Sequence, residues 1–147
     1  MTTDDLRDDF SESDTDTSPD SLRFLAWQDA WLLEIYIDRT EPGHRDVVRL
    51  VVEWPDAENR PLEPVSLVDF HDCYALELDM GFGVIAEESI AGLTIEEDHP
   101  RLARIAEEFG TDDVTCVRID LANTRGTLRI FTSAVTVLPD TSYVTLH

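Results

Sequence analysis

The sequence predicts an α+β fold: a curved, mainly antiparallel sheet of five or six strands with one covering helix. Three observations carry this reading. Five or six segments alternate apolar and polar residues with a period of two, the pattern of half-buried strands. One segment, His99 to Phe109, carries an i, i+3, i+4, i+7 apolar stripe, the pattern of an amphipathic helix. The order β-β-β-(β)-α-β-β, with short turns between neighbours, lacks the strict strand–helix alternation of a parallel sheet.

The chain begins with a segment that cannot fold by itself. Residues 1 to 22 hold eight carboxylates and one arginine, net −7, with Leu6, Phe10 and Leu22 as their large apolar groups. Such a segment buries too little apolar surface to offset its chain entropy, so an acidic disordered tail is expected over 1–22 and a folded domain over 23–147. Its Asp-rich run lacks the glycine and the following helix of a calcium loop.

The first strand lies in the stretch Trp27 to Arg39, where Trp31, Leu33, Ile35 and Ile37 take every second position and Glu34 and Asp38 the intervening ones. Pro42-Gly43 marks a turn. Asp46 to Trp54 resumes the period, with Val48, Leu50, Val52 and Trp54 on one face, and should pair with the first strand as a hairpin. Pro55, Pro61 and Pro64 mark a loop. From Val65 to Met80 a third strand sets Phe70, Tyr74, Leu76, Leu78 and Met80 against Asp69, His71, Cys73, Glu77 and Asp79. Gly81-Phe82-Gly83 turns the chain, and a weaker strand follows at Ile90 to Ile95, with Gly92 as a bulge candidate.

The helix has Asp98 beside its N-cap, Pro100 in its first turn and Gly110 placed to end it. Its stripe is Leu102, Ile105, Ala106 and Phe109. Val114 to Leu121 and Thr127 to Leu138, joined by Asn123-Thr124-Arg125-Gly126, form a closing hairpin. Trp27, Trp31 and Trp54, at strand ends, are expected to close the core.

Thirty-two carboxylates face 11 arginines, with no lysine, for a net charge of −21, of which −14 falls on residues 23–147. That field repels nucleic acid and anionic membranes and speeds encounter with a cationic partner. The same lysine-free, acid-rich composition is what a salt-loving or high-GC proteome produces. No apolar run approaches the ~20 residues that span a bilayer. The N-terminus lacks the basic start and apolar run of a secretory signal, so a cytoplasmic location is expected. Cys73 and Cys116 are read as free, buried thiols.

Two constellations hold candidate chemistry. Asp69, His71 and Cys73, at i, i+2, i+4 on a strand, would share a face and could converge on a metal or form a nucleophile–base pair; alternation also explains them as a polar outer face. Glu34, Glu53, Glu77 and Asp79, at outward strand positions, are the carboxylates expected to meet a partner. There is no phosphate-binding loop, dinucleotide-binding glycine pattern or nucleophile elbow, and no cofactor is expected.

Trp27-Gln28-Asp29-Ala30 running into Leu33-Glu34-Ile35 and Ile37-Asp38-Arg39 resembles the opening of small β-rich bacterial immunity proteins of polymorphic-toxin systems, with Gln28 where that group carries His. The closing Val117-Arg-Ile-Asp-Leu121 and Gly126-Thr-Leu-Arg-Ile130 are similar to theirs. The resemblance covers about a third of the chain. It implies a non-enzymatic protein that binds and blocks a toxin, or the same fold in an unrelated role; if a toxin is the partner, the acidic surface suits a basic one. The other reading is a small-molecule or metal-binding protein using the Asp69/His71/Cys73 face.

Overall fold

The computed structural model describes residues 18–40, 46–61, 63–82 and 88–140. A 3₁₀ turn, Pro19–Phe24, leads into strands β1 (Trp31–Asp38), β2 (Asp46–Glu53), β3 (Val65–Cys73), β4 (Ala75–Asp79) and β5 (Glu88–Glu96). Helix α1 (Pro100–Phe109) follows, and then β6 (Thr115–Leu121), β7 (Thr127–Thr132) and β8 (Ala134–Pro139). All the pairings are antiparallel, in the order β4-β7-β6-β5-β1-β2-β3-β8. The antiparallel, β-rich character and the helix agree with expectation, whereas the strand count does not: the described residues form eight strands where five or six were expected.

The difference comes from bends. The expected third strand divides at Tyr74 into β3 and β4, and the last divides at Ser133 into β7 and β8. At the crossing, the Tyr74 N–H donates to the Phe131 carbonyl at 2.8 Å and the Ser133 N–H to the His71 carbonyl at 3.2 Å. One half of the sheet is thus β1, β2, β3 and β8, and the other β4, β7, β6 and β5. The halves also meet where Trp31 and Leu32 pair with Ser89 and Glu88. The weak strand candidate is a full strand, β5, with its bulge between Ile90 and Gly92.

The core lies between the inner faces of the two halves. Val48, Leu50 and Val52 of β2, Val68 and Phe70 of β3, Val117 and Ile119 of β6, Leu128 and Ile130 of β7 and Val135 of β8 form one buried cluster. Trp27 and Trp54 close it edge to face, 4.9 Å between ring centroids, each with its indole N–H satisfied, by the Leu22 carbonyl and the Ser66 hydroxyl. Trp31 is only half-buried.

The alternation of β1 is interrupted. A bulge between Leu32 and Glu34 turns Leu32, not Leu33, inward, and Ile35 packs on the core while Ile37 is exposed. The tail boundary also moves. Pro19 and Leu22 are buried, and the Ser18 hydroxyl caps the 3₁₀ turn by accepting the Asp20 N–H, so residues 18–22 belong to the folded part. Residues 1–17, the turn at Pro42-Gly43 and Gly83 lie outside the described residues.

Helix α1 starts one residue later than expected. His99 is its N-cap, the Nδ1 atom accepting the Arg101 N–H at 3.1 Å, and Gly110 ends it in the left-handed conformation at φ 69°. Ile105 and Leu102 pack on Cys116, Phe131, Tyr74 and Ala75, so the helix covers the outer face of the second half. Just before β7, Gly126 has no room for a Cβ, which would press on the Asp79 carbonyl and lie 2.9 Å from the Met80 Cα. Among the described residues no helix is long and apolar enough to cross a membrane.

Candidate functional site

With α1 on the second half, the outer face of β1, β2 and β3 forms a broad, open groove of about 960 Å³. Alternation places its floor. On β2 the inward set Val48, Leu50 and Val52 leaves Val47, Arg49 and Val51 outward, and on β3 inward Val68 and Phe70 leave Leu67, Asp69 and His71 outward. Register brings Arg49 directly opposite Asp69. The guanidinium donates through Nε and Nη2 to the two carboxylate oxygens at 2.7 and 2.8 Å. Asp69 is 6% exposed, and this fork gives its buried charge a partner. The Asp69 hydrogen bond is also the main cause that raises the Arg49 pKa.

The rim is acidic. Glu34, Asp38 and Asp140 join Asp69 among the lining residues, against Arg39 and Arg49, and Arg39 is itself paired with Asp46 at 3.1 Å. Asp38 accepts from the Thr40 hydroxyl and N–H at 2.7 and 3.0 Å, which holds its pKa below the ordinary aspartate value. The Tyr36 hydroxyl donates to Glu34 on the same outward face, and that bond is the first cause that raises the phenol pKa. At the inner end His71 Nε2 meets the Thr136 hydroxyl at 2.7 Å. This contact has the shape of a nucleophile–base pair, but Thr136 is 5% exposed, which keeps a substrate from its hydroxyl, and Asp69 is committed to Arg49 rather than to the imidazole.

The three-residue face expected at Asp69, His71 and Cys73 does not form. Asp72 takes a left-handed conformation at φ 52°, and β2 carries a register shift between Asp46 and Val48 beside it. Alternation therefore breaks, and Cys73 turns into the core, 6% exposed, donating to the Phe70 carbonyl at 3.1 Å. Burial pushes its pKa up to about 11. Among the described residues no group of three or more His, Cys, Asp and Glu is arranged to hold a metal ion.

The four partner-facing carboxylates are separated. Glu34 lies in the groove, and Glu53 ends β2 on the same outer face, opposite Trp31 and Val65. Glu77 and Asp79 are on β4, on the other half. Glu77 is held by Arg101 at 3.0 Å and lies 3.8 Å from Arg129, within an ion network that also contains Glu96, Arg118 and Asp120. Tyr36, Arg49 and Asp140 are groove residues that sequence reasoning missed. The outward parity of β2 and β3 could have signalled the Arg49–Asp69 pair. Nothing local signals Asp140, which reaches the groove only because β8 pairs with β3.

Comparison of the chain with protein-family models, with curated proteins and with solved structures finds no match.

Proposed function

We propose that this protein works by binding, and that a basic polypeptide docks along the groove of β1, β2 and β3. The observation that carries this is the groove itself: a large outer sheet face that α1 does not cover, with more carboxylates than guanidiniums along its lining. Small-molecule sites bury about 70–90% of their ligand, which a broad open groove does not do; an extended chain uses such a surface better. Complementary charge would steer the encounter and set its rate. Capture of a basic toxin, the role implied by the strand motif from Trp27 to Arg39, is one form of this activity.

The test uses the protein as bait in extracts of its source cells, beside a double charge-reversal variant, Asp38→Arg with Asp140→Arg. Association of the recovered partner is then followed at several salt concentrations. A basic partner that associates about tenfold or more slowly with the variant, and more slowly as salt rises, supports the reading. A partner whose association is the same with both proteins and indifferent to salt would overturn it.

A further inference from the structure

Tyr36 stands in the groove directly opposite the Arg49 of the Arg49–Asp69 pair, with Glu34 on its own strand and Asp140 also in the lining. Tyr36 is 55% exposed, and its hydroxyl is tied to Glu34 two residues earlier on β1, which restrains the ring's orientation. Asp140 lines the same groove and adds negative charge beside the Arg49 guanidinium and, to a smaller extent than Arg49 acts, beside the Tyr36 phenol. An accessible aromatic face beside carboxylates attracts a cation, through the ring quadrupole and through charge. A guanidinium uses this arrangement better than an ammonium does. It is planar, stacks on the ring while its edge donates to carboxylates, and is more weakly hydrated. The neighbouring Arg49–Asp69 fork shows the same chemistry within the chain.

We infer that Tyr36, flanked by Glu34 and Asp140, reads arginine: a guanidinium of the docking polypeptide stacks on its ring and donates to the flanking carboxylates. The inference rests on the groove being the docking surface, and it adds arginine over lysine as the recognised residue.

The full chain is titrated with two octapeptides of equal charge, one alternating glycine with arginine and one alternating glycine with lysine. Both are measured at an ionic strength of about 0.15 M by amide NMR shifts and calorimetry. The expected result is shifts centred on β1 to β3 and an affinity for the arginine peptide about fivefold higher. Tyr36→Ala removes that preference and leaves the lysine peptide unchanged, while Tyr36→Phe, which keeps the ring, retains it. If Tyr36→Ala lowers the melting temperature, Tyr36→Leu takes its place. Equal affinities with shifts in the groove overturn the arginine inference and leave the docking surface standing. A preference that survives loss of the ring overturns the role of Tyr36. Shifts scattered over the acidic surface, or none, overturn both the inference and the docking proposal.

Discussion

Glu96 is the residue at which three strands meet. On β5, it accepts from Arg129 of β7 at 2.7 Å and from Arg118 of β6 at 3.2 Å, and the Cys116 thiol lies 3.6 Å away. The Arg129 hydrogen bond leads the causes that hold its pKa below the ordinary glutamate value. A folded pKa below the unfolded one means that the unfolded chain takes up the proton first as pH falls. The stabilisation is therefore complete above the unfolded pKa of about 4.3 and is lost as pH drops through the folded value. Glu96→Gln should cost about 1–2 kcal/mol at neutral pH, where two guanidiniums each lose one of their anionic partners. Urea melts of wild type and variant should converge as pH falls below about 4. A difference that stays constant down that range would show that the charge of Glu96 is not what matters. Burial first, then Glu96, pushes the Cys116 pKa up to about 12, so this thiol is no nucleophile at neutral pH.

Among the elements, the 3₁₀ turn Pro19–Phe24 contributes more than its length suggests. Leu22 is 1% exposed in the main core, and its carbonyl accepts the Trp27 indole N–H at 2.7 Å. Leu22→Ala should cost about 3 kcal/mol, the usual range for an aliphatic side chain lost from a packed core. A chain starting at Ser18 should keep the melting temperature of the full chain, whereas one starting at Arg23 should lose at least as much stability as Leu22→Ala. Equal melting temperatures for the two shortened chains would show that the turn does not brace the core. Composition assigned the first four residues of this element, Pro19 to Leu22, to the tail because carboxylates dominate the segment up to it. Composition averages over a window, but burial of Leu22 is a property of one side chain.

At the scale of the whole molecule, charge dominates. A net charge of −21 with arginine as the sole strong cation makes self-repulsion a cost of compaction that salt relieves. The Debye length falls from about 10 Å at 0.1 M to about 3 Å at 1 M, so long-range repulsion is screened before short, part-buried pairs such as Arg49–Asp69. The melting temperature should rise across a salt series spanning that range. A flat or falling series would mean that the arginine–carboxylate networks already balance the field. Glu77→Arg, by contrast, should destabilise at all salt concentrations, because Glu77 is held by Arg101 and lies near Arg129 within one such network.

The sequence by itself determined the antiparallel β-rich class, the inward set of β2, the helix with its Gly110 end, and the acidity of the surface. These are local properties, set by a period of two or 3.6 and by composition, and neighbouring residues are enough to impose them. The tertiary structure alone decided the rest. The bends at Tyr74 and Ser133 raise the strand count to eight because each long strand must pass from one half of the sheet to the other. The Leu32–Glu34 bulge and the left-handed Asp72 shift faces within single strands, which sends Cys73 into the core and leaves Asp69 and His71 in the groove. Parity counted along a sequence assumes an unbroken pleat, and one extra residue reverses it. Which half of the sheet α1 covers, and so where the groove lies open, depends on pairings between residues far apart in the chain, which alternation does not encode.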